Sequence, residues 1–130
     1  MNENELKQRT KTFALRVLKL IDSLPNTRSA RVLSNQLGRS GTSVGANYRA
    51  ACRSRSTAEM ISKLAVVEEE ADESAFWMEL VAEHGLVTAR KIASLHKEAG
   101  ELTAIMVASR RTLAMRSHKS KIENRKSKIR

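Results

Sequence analysis

The chain has 130 residues, 41% of them hydrophobic and 29% charged, which suits one soluble domain with its own core. Aromatic residues make up only 3%, and one Pro and five Gly leave few turns, so an all-β fold is disfavoured and a helical core of Leu, Ile, Val, Ala and Met is expected. The formal net charge is +10, and the single cysteine, Cys52, excludes an intramolecular disulfide and any zinc site using more than one thiolate.

The charge is unevenly spread. Residues 1–109 hold 15 basic and 13 acidic side chains, whereas residues 110–130 hold nine basic ones against Glu123 alone. The high isoelectric point therefore belongs mostly to the C-terminal segment and says little about the domain before it. Residues 1–12 are polar, without the apolar stretch of a secretory signal, and no apolar run approaches the ~20 residues of a membrane span. A cytoplasmic protein without a membrane partner is expected.

The first element, about residues 4–23, carries Leu6, Thr10, Phe13, Val17, Leu20 and Leu24 at alternating spacings of four and three. That is the stripe of a bundle helix, and Pro25 ends it because the residue before a proline is pushed out of helical geometry. The second, about 27–55, places Ala30, Leu33, Leu37, Ser40, Val44, Asn47 and Ala51 inward. Gly38, Gly41 and Gly45 fall inside it, each costing ~1 kcal/mol against Ala, so a kink or break is weighed there.

Ser56-Thr57-Ala58-Glu59 is a capping box that opens the third element, about 57–84. Its stripe is Met60, Leu64, Val67, Ala71, Ser74, Met78 and Val81, and Gly85 is placed to end it. The fourth, about 87–114, carries Ile92, Leu95, Ala99, Leu102, Met106, Ser109 and Leu113. Short connections between long helices imply antiparallel neighbours, hence an all-α, up-down-up-down four-helix bundle over residues 1–116. Beyond it, Lys119-Ser120-Lys121-Ile122 recurs as Lys126-Ser127-Lys128-Ile129. One Ile per seven residues cannot form a coiled-coil seam, which needs two, so residues 117–130 are expected to be a disordered basic tail. Two readings of that tail stay open, an RNA- or DNA-binding arm and a solvated appendage.

Candidate chemistry is sparse. Gly38 to Gly45 superficially resembles a phosphate-cradling loop, but the Gly-Lys-Ser/Thr ending and the preceding strand are missing. A run of small residues that lets two helices approach closely is the simpler account. Residues 68–73 are acidic at every position except Ala71, yet His84, His96 and His118 follow Val81, Ala93 and Met115 three residues earlier, so the Glu-x-x-His pair of a di-iron bundle is absent. No hydrolytic triad stands out. No catalytic residue, metal ligand or cofactor is expected.

The basic residues of the second element are all Arg: Arg28, Arg31, Arg39, Arg49, Arg53 and Arg55. Arg forks onto phosphate or carboxylate in a way Lys cannot. Arg49 and Arg53 are one turn apart and share a face. Their partner is either the acidic third helix, within the chain or across a subunit boundary, or a nucleic-acid backbone.

Leu24-Pro25, Gln36-Leu37-Gly38-Arg39-Ser40, Thr42-Ser43-Val44-Gly45-Ala46-Asn47-Tyr48, Arg49-Ala50-Ala51-Cys52-Arg53 and Glu69-Glu70-Ala71-Asp72-Glu73-Ser74-Ala75-Phe76-Trp77 together resemble the bacterial 23S rRNA intervening sequence protein family. The likeness spans about residues 8–112. Arg49 stands where the family usually has an acidic residue, and Glu69 where it often has Lys. The resemblance implies a four-helix bundle assembling as a ring, commonly a homopentamer. It also implies similarity to the accessory variability protein of diversity-generating retroelements, which binds nucleic acid and its reverse transcriptase through a basic surface. No active site comes with it. The expectation is a non-enzymatic homo-oligomer binding RNA or DNA through Arg39, Arg49, Arg53 and Arg55. The alternative is a protein–protein scaffold with no nucleic-acid ligand.

Overall fold

A computed structural model describes residues 1–129. It contains four α-helices, α1 (Glu3–Asp22), α2 (Arg28–Cys52), α3 (Thr57–Glu83) and α4 (Ala89–Ile129), and no strand among the described residues. Each helix packs on its neighbour in sequence, α1 and α3 lie diagonally across the shared core, and α4 closes the ring onto α1 through the smallest of the four contacts. This is the expected up-down-up-down bundle.

The helix limits follow from local chemistry. Asn2 caps α1 by accepting the Glu5 amide at 2.8 Å, and Thr27 caps α2 by accepting that of Ala30 at 3.2 Å. Ser56 caps α3 by accepting the Glu59 amide at 3.1 Å. The return bond from Glu59 goes to the Arg55 amide at 3.1 Å, one residue earlier than in the usual capping box. At the other end of α3, Gly85 takes φ +81. The Leu86 amide donates to the Val81 carbonyl and that of Gly85 to Ala82, both at 3.0 Å, which is a Schellman motif.

The core is built from the expected stripes, with Phe13, Val17, Leu37, Val44, Leu64, Val67, Ala71, Met78, Ala99, Leu102 and Met106 almost wholly buried. Leu24, Met60, Ser109 and Leu113, at the stripe ends, are only partly buried, and one inward place is exchanged. Asn47 is half-buried and its amide donates to the Ser43 carbonyl at 2.9 Å, while Tyr48 takes the inward place at 4% exposure. A strict seven-residue repeat drifts against 3.6 residues per turn, and near the end of α2 the drift favours the next residue.

The helix α2 is unbroken through its glycines. A Cβ on Gly41 would stand 2.8 Å from both methyls of Val17, and one on Gly45 would stand 3.3 Å from Thr10 Oγ1. The glycines thus let α1 lie close against α2, and the packing offsets their poor helix propensity. Among the described residues three polar side chains are buried, Thr10, Ser40 and Ser74. The Ser40 and Ser74 hydroxyls share a hydrogen bond of 2.9 Å between α2 and α3, and Thr10 donates to the Leu6 carbonyl at 3.0 Å. Each is satisfied, as burial requires.

Burial thins out along α4: Leu113 and Ser117 are the last partly covered side chains, and all from His118 to Lys128 are exposed. The backbone differs from the expected irregular tail, because α4 continues as one helix of 41 residues to Ile129. At 1.5 Å per residue it is about 60 Å long. No Gly or Pro follows Gly100, and Lys, Arg and Glu are adequate helix formers, so nothing local stops it.

Candidate functional site

The amphipathic halves of α1 and α2 leave their outer edges facing each other across the glycine contact. Between them runs an open groove of about 510 Å³ lined by Asn4, Lys7, Gln8, Lys11 and Ala14 from α1 and by Thr42, Gly45, Ala46, Arg49 and Arg53 from α2. Its floor is shallow because Gly45 and Ala46 carry little or no side chain. Four cations border it, and no carboxylate lines it. None of Lys7, Lys11, Arg49 and Arg53 is held in an ion pair among the described residues. Glu3, on the first turn of α1, comes near Cys52 at the groove's end, where burial pushes the thiol's pKa up. Like charges gathered along one groove repel one another and give it a positive potential.

The four arginines singled out from sequence separate into three environments. Arg49 and Arg53 share the groove, as their spacing implied. Arg39 lies apart, on the α2–α3 side, where Glu73 at 2.6 Å and Glu70 at 3.2 Å hold its guanidinium. The bond to Glu73, then the charge of Glu70, keeps that guanidinium firmly protonated. Glu73 also accepts from Trp77 Nε1 at 3.2 Å, so Arg39 belongs to a fixed network. Arg55 sits exposed in the turn between α2 and α3, outside the groove lining.

Lys7 and Lys11 were not singled out by the sequence reading. Their signal was their i, i+4 spacing on α1, but nothing local told that α1 would bring them beside Arg49 and Arg53. Several charges elsewhere are paired between helices, while others, among them Arg16, Lys19 and Lys91 at the α1–α4 side, are in no ion pair among the described residues. Arg9 binds Glu98 at 2.6 Å and Glu101 at 2.8 Å across the α1–α4 seam, and Arg110 binds Glu68 at 2.9 Å. The Arg9 bond holds the Glu98 carboxyl below its usual range despite partial burial.

Tyr48 is buried beside Cys52, and desolvation raises its phenol pKa well above the ordinary value. Among the described residues no three His, Cys, Asp or Glu side chains converge as a metal site, and no helix is long and apolar enough to cross a membrane.

On the opposite side of the bundle, the outward stripe of α3 carries Val66, Glu69, Asp72, Phe76, Glu79 and Glu83, all exposed. Phe76 is 49% exposed and meets Trp77 edge-on at 5.1 Å between centroids. The outer face of α1 shows Leu15 and Leu18 between Lys11 and Lys19. The molecule therefore has a basic side and an acidic side, each with apolar spots. Ile21 and Ile105 are partly buried against the core.

Comparison with known proteins bears on this layout. No curated protein matches the chain significantly. A solved protein of unknown function from the S23 ribosomal protein family of Bacteroides thetaiotaomicron VPI-5482 superposes with a TM-score of 0.79 at 32% identity, covering 85% of this chain and 99% of its own. The model of the family described as 23S rRNA-intervening sequence protein matches residues 2–108, which span all the helices up to the last core turn of α4. The chain belongs to the 23S rRNA-intervening sequence protein family.

Proposed function

We propose that the protein is a non-enzymatic, cytoplasmic accessory factor that binds nucleic acid through its phosphate backbone and acts as a homo-oligomer. The observation that carries this reading is the α1–α2 groove, where Lys7, Lys11, Arg49 and Arg53 converge without a carboxylate in the lining. Cations left without internal partners, in a bundle that pairs Arg9, Arg39 and Arg110, suit an external anion. No aromatic side chain lines the groove, so stacking on bases contributes nothing there and recognition is by charge and shape.

Neutralising four phosphates predicts that log K falls against log salt with a slope of about −3.6 on duplex DNA. The test is binding of labelled RNA and DNA at several salt concentrations by the chain ending at Ser117. Changing Lys7, Lys11, Arg49 and Arg53 to Ala should abolish binding and flatten the slope. Arg39→Ala, the control, should leave both unchanged. Unaltered binding by the fourfold variant would remove the groove from consideration.

Assembly follows from the two faces. Exposed apolar side chains on α1, Leu15 and Leu18, and on α3, Val66 and Phe76, lie on different faces of one bundle, so copies would meet head to tail through these unlike surfaces, the arrangement that closes into rings. A ring, with a pentamer as the size proposed, would multiply a modest phosphate site by its subunit number. Light scattering at micromolar concentration tests it, and a monomer mass refutes it. The second reading, a protein scaffold, is favoured by the acidic α3 stripe with Phe76 at its centre. It predicts unchanged assembly and no binding of either nucleic acid at low salt.

A further inference from the structure

Beyond the bundle, α4 offers a helical face that no other part of the fold covers. Every side chain from His118 to Lys128 is exposed, and the helix is continuous with the core. At 3.6 residues per turn, Ser117, Lys121, Asn124, Arg125 and Lys128 project from one side, and Glu123, the segment's acid, points roughly 150° away from them. This face holds two side chains suited to base edges. Asn pairs in bidentate fashion with adenine and Arg with guanine, both in the major groove.

We propose that this arm enters the major groove of duplex DNA, an inference that rests on the nucleic-acid reading above and names the form of ligand. A helix about 10–12 Å across with its side chains matches the major groove of B-DNA, which is about 12 Å wide. The major groove of A-form RNA is too narrow and deep to admit it.

The fold also places the arm well. The end of α2 with Arg49 and Arg53, the start of α1 with Lys7, and the departing α4 all lie at one end of the antiparallel bundle. The arm runs about 16 Å past that end, three helical turns, so the bundle stands at the duplex surface while the arm lies in its groove. Lys121 and Arg125 repel each other across one turn, and neighbouring phosphates relieve that repulsion, so DNA strengthens the arm's helix.

The test compares a DNA and an RNA duplex of the same sequence, about 20 base pairs long, by fluorescence anisotropy at about 100 mM salt. The full chain should bind the DNA about tenfold more tightly than the RNA. The chain ending at Ser117, which keeps every buried residue, should bind both equally and weakly. N124A/R125A should lose about tenfold on DNA and nothing on RNA, from the roughly 1–3 kcal/mol that one bidentate base contact supplies. Equal DNA and RNA affinity of the full chain, or a DNA preference that survives truncation, overturns the inference. Either result leaves the groove reading to its own test, because that reading is judged on the truncated chain with its four groove cations replaced. Loss of all binding on truncation refutes the groove reading alone, because the arm is judged on the full chain by its preference for DNA and the dependence of that preference on Asn124 and Arg125.

Discussion

Gly41→Ala is the sharpest probe of how the groove is built. The added Cβ would lie 2.8 Å from both Val17 methyls and 3.1 Å from its Cβ. Ordinary carbon contacts are about 3.5–4.0 Å, so α1 must retreat by roughly 0.7 Å. Val17 is fully buried, and a β-branched side chain in a helix has one favoured rotamer, so it cannot turn aside. Overpacking of this kind costs about 1–3 kcal/mol, against about 1 kcal/mol returned by the better helix propensity of Ala. The net expectation is about 1 kcal/mol of destabilisation. Gly100→Ala supplies the reference: a Cβ there meets nothing within 4 Å, so it should stabilise by about 1 kcal/mol. At about 4 °C per kcal/mol for a domain of this size, the two variants should melt about 8 °C apart by circular dichroism. Val17→Ala should also cost less in the Gly41→Ala background than alone. Coincident melts of the two glycine variants would refute the close approach of α1 to α2.

Three further outcomes are expected. The folded-state pKa of Glu98 lies below its ordinary 4.5, so the Arg9–Glu98 contact stabilises the fold fully above that pH and loses its effect as pH falls through the lower folded value; Glu98→Gln should lower the melting temperature at neutral pH and converge with the parent in acid. The sole tyrosine, Tyr48, should show no tyrosinate absorbance one unit above the ordinary phenol pKa of about 10, and stability should fall as pH rises past that value, because only the unfolded chain then ionises; a normal spectroscopic titration would place it at the surface. Ser74→Ala should cost about 1 kcal/mol in urea titrations, and adding Ser40→Ala should cost less than its single effect, since the two hydroxyls share one bond; strict additivity would deny it.

The sequence carried the architecture because its signals were local. Stripes of apolar residues, the Ser56 cap and Gly85 each act within a turn or two, and each lies where the pattern put it. Asn47 and Tyr48 were exchanged because both satisfy a three-or-four spacing, and only the facing helices decide the phase. The length of α4 was missed for a related reason: like charge argued against order, while nothing in the backbone chemistry of residues 117–129 interrupts a helix already begun. For the site, the pairing of Arg49 with Arg53 was legible on one helix. That Glu70 and Glu73 would claim Arg39, and that Lys7 and Lys11 would complete the groove, depends on contacts between helices, which no spacing within a single element reveals.

The small contact between α1 and α4 has a kinetic meaning. Those two helices are the pair most distant in the chain, while the larger contacts all join consecutive helices through short turns. Loop closure therefore adds little entropy cost before contacts form, and a chain with such local topology belongs with the fast-folding helical bundles. Helix α2 can pair with α3, and α3 with α4, without waiting for α1. On that route α1 docks last, sliding its Val17 side into the glycine channel of α2, and the Arg9 clasp on Glu98 and Glu101 forms as the ring closes. The basic groove, which needs α1 in place, would then be among the last features of the molecule to take shape.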